Sequence, residues 1–261
     1  MQVFPSSPRT WAPSRFGADE LVRFAHRLAE REAPLFVHAI YLINLASPDP
    51  GLRSRSASAL ADALWFGTWA RAQGVVVHVG SHRGVEPDRA LGRVRETWAQ
   101  AAGQALARLR EEGAGEPRLP PRLLETAAGG ANAVGTRLEE LAEVAEQAPA
   151  PWGLCLDTAH LFAAGAPVHT AQGVEAVLEE VGRRVGLERI GLVHLNDSKT
   201  ALGSRRDRHE NLWEGQIGRR GLAAWVRRPE LQWVPFVLET PGFGQEGPDR
   251  RNLRRAKRLR R

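Results

Sequence analysis

The chain has 261 residues, 36 Lys+Arg against 30 Asp+Glu for a formal charge of +6, one Cys and 43% apolar residues. A chain of this length buries a substantial core without covalent staples, and one cysteine excludes both a disulfide scaffold and a thiolate zinc cluster. The apolar share excludes a disordered chain, and no run of eighteen apolar residues exists to span a membrane. The opening MQVFPSSPRTW lacks a basic region followed by an apolar stretch, so no secretory leader is expected. The lone Cys155 fits a reducing cytoplasm, and a buried packing role suits it better than a nucleophilic one.

The charge is unevenly placed. Residues 249–261, DRRNLRRAKRLRR, carry seven Arg, one Lys and one Asp, a net +7 that leaves −1 for the other 248 residues. Leu253, Ala256 and Leu259 recur every three residues, which predicts a basic C-terminal surface helix or tail. A basic arm for a polyanion is the functional alternative. Only Lys199 and Lys257 are lysines, a bias that a GC-rich genome also produces.

Taken in chain order, QVF (2–4) predicts a first strand, and six further apolar runs each end in a metal-type ligand. LFVH ends at His38, VVVH at His78, RLLE at Glu125, GLCLD at Asp157, IGLVH at His194 and PFVLE at Glu239. Nearly continuous apolar runs of four or five residues read as strands buried on both faces, as in a parallel sheet. The ligands lie 40, 47, 32, 37 and 45 residues apart, room for a crossover helix each time. Helices are expected over 56–72, over 89–112, over 136–147 with Thr136 as N-cap and Glu139 at the capping-box spacing, and over 172–185. Residues 113–121 read as a loop, and no domain linker or repeat is visible, so 1–261 is expected to form one domain.

Such alternation fits a doubly wound sheet or a (β/α)8 barrel. Only in a barrel do the C-terminal ends of all strands converge on one mouth, where six ligands can meet. Two more candidates, Asp207 and His209, lie two apart in the loop RRDRHE, and His160 follows Asp157 by three at a strand-to-loop turn. A single His or Glu at a strand end is usually a satisfied polar group, but six in succession are not expected by chance. The His, Asp and Glu set suits Zn, Mn, Fe or Co, and nine ligands suffice for two or three ions. Clustered ions of this kind suit hydrolysis at phosphorus. The Gly-rich AGGANAVG (128–135) has no Lys-Ser/Thr ending and is no P-loop.

HAIYLINLASP (38–48), LLETAAGGANAVGTRLEELA (123–142), GLCLDTAHLFAAG (153–165) and HLNDSKTALGSRRDRHE (194–210) resemble the signature blocks of the endonuclease IV family, and FVLETPG (236–242) and SPRTW (7–11) match in order. The resemblance covers essentially the whole chain. It implies a TIM (β/α)8 barrel, here lacking its first βα unit, since Gln2–Phe4 fall at the second strand. It implies zinc-dependent cleavage of double-stranded DNA on the 5′ side of abasic sites, leaving a 3′-hydroxyl for repair. Three zinc ions are implied, with Mn2+ an alternative: one on His38, His78 and Glu125, one completed by Asp157, His194 and Glu239 with Glu125 bridging, and one on His160, Asp207 and His209. Glu125 and Glu239 are the implied catalytic carboxylates. Arg9, Tyr41 and Leu42 stand where the family enters the minor groove and replaces the flipped-out abasic nucleotide; the plain alternative for Tyr41 and Leu42 is packing. A monomeric, cytoplasmic, nucleoid-associated bacterial enzyme is expected, with no membrane partner. Two readings compete: a metal-dependent sugar isomerase or epimerase on a similar barrel, and a catalytically weakened DNA-binding homologue. Outside those blocks, Val79 stands where the family has proline after the ligand His78, and Trp213 stands where it has glycine.

Overall fold

A computed structural model describes residues 1–146 and 151–260. The chain divides into two compact units: Met1–Glu125 with Ala131–Val134 and Glu143–Gly153, and Thr126–Gly130 with Gly135–Ala142 and Leu154–Arg261.

The first unit is a run of parallel strands and crossover helices. Strands β1 (Gln2–Val3), β2 (Phe36–His38), β3 (Gly74–Val77) and β4 (Arg122–Glu125) pair side by side, with Val37 opposite Val75 and Val76 opposite Leu123. β2, β3 and β4 are buried along their length, as their unbroken Val and Leu runs require. Helices α1 (Ala18–Ala29), α2 (Pro50–Trp69) and α3 (Ala90–Glu111) connect them. α2 starts where Asp49 accepts from the Gly51 amide and Pro50 presets the first turn. Leu60, Leu64, Trp65, Trp98, Ala101 and Leu109 on α2 and α3 are fully buried. One polar clamp joins these two helices: Glu112 accepts from Trp65 Nε1 (2.6 Å) and Trp69 Nε1 (3.0 Å), while the Arg108 guanidinium lies 3.5 Å over the Trp65 ring.

The second unit has three parallel strands, the 154–157 part of β5 (Trp152–Asp157), β6 (Ile190–His194) and β9 (Phe236–Val237), plus a short antiparallel pair, β7 (Asp197–Ser198) with β8 (His209–Glu210). Its helices are α5 (Thr158–Ala164), α6 (Ala171–Arg184), α7 (Gly218–Val226) and α8 (Arg250–Leu259). Thr170 caps α6 through the Gly173 amide, and Asp249 caps α8 through the Asn252 amide. A further helix, α4, covers Leu138–Glu146. No helix among the described residues is long and apolar enough to cross a membrane.

The expected alternation is present, with shifted boundaries. α2 starts six residues earlier than its periodicity suggested, because the Asp-Pro cap lies upstream of the apolar stripe. α4 begins two residues later than expected, and Glu140, not Glu139, reaches back, to the amides of Gly135 and Arg137. Residue 147 of that expected helix lies outside the described residues. PFVLE is strand only at Phe236–Val237. The basic segment is helical over Arg250–Leu259.

Candidate metal centre

In the first unit, the C-terminal ends of three neighbouring parallel strands bring His38, His78 and Glu125 together. His38 ends β2, Glu125 ends β4 and His78 follows β3 by one residue. Glu125 Oε2 lies 3.1 Å from His38 Nε2 and 3.2 Å from His78 Nε2. His38 and Glu125 are 1% exposed, so this carboxylate has little access to water.

The loops behind these ligands are tied together. The Asn44 side chain accepts from the Ser81 amide and donates to the Ser81 carbonyl, both at 2.9 Å, and the Leu45 amide donates to Val79 O. Gly80 sits at φ +102°, and a Cβ there would fall 2.3 Å from Asn44 Oδ1. Only glycine therefore allows this close approach. Val79 is buried, so the segment after His78 is fixed without proline.

In the second unit, Asp157 ends β5 and also caps α5, its Oδ1 accepting from the His160 amide at 2.8 Å. His160 is thus in the first turn of a helix, rather than at the expected strand-to-loop turn; the short TAHLFAAG run conceals a helix whose cap is itself a ligand. His194 ends β6, and its Nδ1 lies 3.1 Å from Glu239 Oε2 and 3.7 Å from Asp157 Oδ2. Asp207 lies 3.3 Å from His160 Nε2 and 3.2 Å from His209 Nε2, and His209 Nε2 lies 3.6 Å from Asp157 Oδ2. Burial raises the Asp207 carboxyl, but hydrogen bonds from His160 and His209 outweigh it and hold the group well below the usual carboxylate range. Burial lowers the His209 pKa, but the charges of Asp157 and Asp207 outweigh it and raise it to about 9.

The imidazole hydrogen bonds test whether cations fit. His38 Nδ1 faces Ala39 O at 2.6 Å, His160 Nδ1 faces Thr126 O at 2.8 Å and His209 Nδ1 faces Glu239 O at 3.3 Å. Carbonyls only accept, so each ring donates from Nδ1 and turns its Nε2 toward a carboxylate oxygen. Lone pair facing anion is repulsive unless a proton or a metal ion lies between them. Backbone-anchored imidazoles with carboxylates opposite are the donor set that divalent zinc-type ions take.

A pH dependence follows for the metal-free protein. His209 has its folded pKa above its ordinary 6.5, so its pairing with Asp157 and Asp207 stabilises the fold fully below about pH 6.5 and is lost as pH rises through about 9. Thermal melts of chelated protein are expected to fall across that window. Zinc-loaded protein is expected not to follow, because the ion replaces the proton; parallel curves would remove the proton-for-metal exchange.

Three residues that the sequence pattern did not single out organise this unit. Asn196 donates to Asp157 Oδ2 at 2.6 Å and accepts from the Glu239 amide at 2.8 Å. It lies two residues past His194, the spacing that keeps side chains on one side of an extended chain. Thr126 accepts from the Asp157 amide. Asp197, fully buried, accepts from the amides of Ser198, Trp213, Gly215, Ile217 and Gly218 at 2.9–3.1 Å. Burial raises its pKa against the pull of those amides. A Cβ at Gly215 would lie 2.5 Å from Asp197 Oδ1.

Of the expected DNA-contacting residues, Tyr41 is 49% exposed and its ring packs 5.4 Å from both Phe4 and His38. Its amide donates to Pro8 O at 3.0 Å, which places exposed Arg9 one residue from a Tyr41 contact. Leu42 is half-buried.

Comparison with known proteins gives these clusters a context. Residues 1–260 match the xylose isomerase-like TIM barrel family. The chain is 38% identical over 256 residues to a probable endonuclease 4 of Chloroflexus aggregans, covering 97% of this chain and 86% of that protein. It superposes on the crystal structure of endonuclease IV from Thermus thermophilus with a TM-score of 0.81 at 39% identity, covering 99% of this chain and 87% of the other. A D-tagatose 3-epimerase-like protein, at 18% identity and TM-score 0.66 with 99% of this chain and 85% of the other covered, shares the fold alone. The architecture is therefore a TIM barrel, with seven parallel barrel-type strands among the described residues. The identity to these endonucleases extends over nearly the whole chain and the two structures superpose along the same length; the chain belongs to the endonuclease 4 family.

Proposed function

We propose that this protein hydrolyses the phosphodiester on the 5′ side of abasic sites in duplex DNA, leaving a 3′-hydroxyl, and that it acts as a monomer on three zinc ions. The observation that carries the reading is the set of imidazoles, anchored to backbone carbonyls through Nδ1, whose Nε2 atoms face carboxylates, on a chain of the endonuclease 4 family. His38, His78 and Glu125 would hold one ion, Asp157, His194 and Glu239 a second, and His160, Asp207 and His209 the third. When bound, such ions lower the pKa of water and neutralise charge that builds on a phosphate.

The chain's own residues do the rest. Ala39 O, Thr126 O and Glu239 O keep protons on the Nδ1 atoms of His38, His160 and His209, which fixes the direction of each Nε2. Asn196 orients the Asp157 and Glu239 carboxylates. Arg9 supplies a cation for the negative potential of the minor groove, and Tyr41 with Leu42 fills the gap left by an extruded nucleotide.

Purified protein is expected to nick a duplex carrying one abasic analogue at that site, to lose the activity to a chelator and to regain it with zinc. Binding without nicking when zinc is present would favour the weakened homologue, and turnover of a ketose with no damage-dependent binding would overturn the assignment.

A further inference from the structure

We propose that the arginine-rich face of α7 and α8 binds the phosphate backbone of duplex DNA beyond the lesion, as an electrostatic anchor separate from the metal ligands. This rests on DNA being the substrate.

Three observations within the second unit lead there. The first is a groove of about 490 Å³ lined by Arg219, Arg220 and Arg227 with only Ala171, Ala223 and Ala224 between them. Its charged groups are all cationic, with no carboxylate in the lining.

The second is the charge pattern of α8. Arg250, Arg254 and Arg258 recur every fourth residue, all exposed, and no carboxylate lies within 4.0 Å of any of them among the described residues. Like charges at that spacing repel one another, and Arg250 and Arg251 occupy the first turn, where the helix dipole disfavours cations. The only acidic residue of the segment, Asp249, is committed to capping, accepting from the amides of Asn252 and Phe243. A merely solvated face would gain by interspersed acids; this one is left unfavourable on its own and is relieved by a polyanion.

The third is that three neighbouring cations on these helices, Arg219, Arg251 and Arg255, are held in place. Arg219 and Arg255 each lie 5.1 Å from the Trp213 ring, and Arg251 and Arg255 lie 3.7 and 4.9 Å from Phe243. Arg255 also pairs with Glu214 at 2.7 Å. Trp213 adopts φ +76°, an unfavourable backbone for a bulky residue, so its position beside two arginines is maintained against strain. Trp213 stands four residues after His209, and Phe243 four after Glu239, so the basic face is continuous along the chain with loops that carry ligands. Planar guanidinium groups fixed on aromatic faces suit repeated phosphates.

The test compares wild type, R250Q/R254Q/R258Q and R250K/R254K/R258K on undamaged duplex of about 40 base pairs over a salt series. The slope of log K against log salt is expected to shrink by about 2 to 3 in the glutamine variant, and affinity at low salt to fall by at least about tenfold. The lysine variant is expected to restore the slope. An unchanged slope in the glutamine variant, with an unchanged melting temperature showing that α8 is folded, overturns the proposal. So does variant-sensitive binding to phosphatidylserine vesicles with none to DNA. Nicking of a short abasic duplex is measured in parallel. The glutamine variant is expected to retain it, and its absence in wild type would refute the incision reading while the salt slope still reports on the anchor.

Discussion

Glu125→Gln is expected to remove bound metal and reduce incision by about three orders of magnitude while leaving the metal-free fold intact. The carboxylate Oε2 faces the Nε2 atoms of His38 and His78 at 3.1 and 3.2 Å, an arrangement that one cation can bind at three points. A glutamine amide of the same shape can still hydrogen-bond one of those rings, so the metal-free variant keeps a polar contact at this place while losing the carboxylate charge that a cation needs. Its melting temperature without metal is therefore expected to stay close to that of chelated wild type. Losing several kcal/mol of transition-state stabilisation from a displaced ion corresponds to roughly a thousandfold in rate. Metal content per chain, the apo melting curve and incision rate give three independent readings. A variant that keeps its full metal complement and its rate would show that Glu125 is not a ligand.

Asp197→Ala is expected to be the most destabilising single change in the second unit, by about 3–5 kcal/mol. One carboxylate gathers five backbone amides, four of them from residues 213–218. Removing it leaves those five donors without their carboxylate partner. Water can enter and recover part of the loss, which keeps the effect below a sum of five bonds. Chemical denaturation measures the size, and hydrogen exchange at Trp213, Gly215, Ile217 and Gly218 locates it. A loss under about 1 kcal/mol with unchanged exchange would mean that this loop holds its shape without Asp197. Because the same loop begins at His209, reduced metal occupancy is expected to accompany the loss.

The ligand-bearing strands were legible in the sequence for a plain reason. Strands buried on both faces are short continuous apolar runs, and IGLVH matches β6 at both ends. A polar residue closing such a run marks the strand's C-terminal end, so His38, Glu125, Asp157 and His194 could be placed without the structure. Glu239 could be named, although the strand before it ends at Val237 and its own amide is held by the Asn196 side chain. α1, α5 and α7 were not legible as helices. α5 is seven residues long and almost wholly buried, so it has no amphipathic period to read. Asp197 and Asn44 were silent because their partners are backbone groups distant in sequence, and a side chain bonding to the main chain leaves no pattern of residue types. Trp213 was visible as an oddity, but only its φ and its two arginines give the substitution a structural meaning.

The Asn44 clamp has a consequence for how damage would be found. With the loops after His38 and His78 pinned to one another and Tyr41 tethered to Pro8, the exposed ring has little freedom to fold aside when the protein meets intact DNA. In the proposed wedge role, the protein is then a fixed gauge and the DNA is the compliant partner. An intact base-pair step resists unstacking, whereas a step missing its base yields with less work. Selectivity would thus be set by the stiffness of the nucleic acid tested against a rigid probe, and a protein travelling along undamaged duplex would pass each step without rearranging itself.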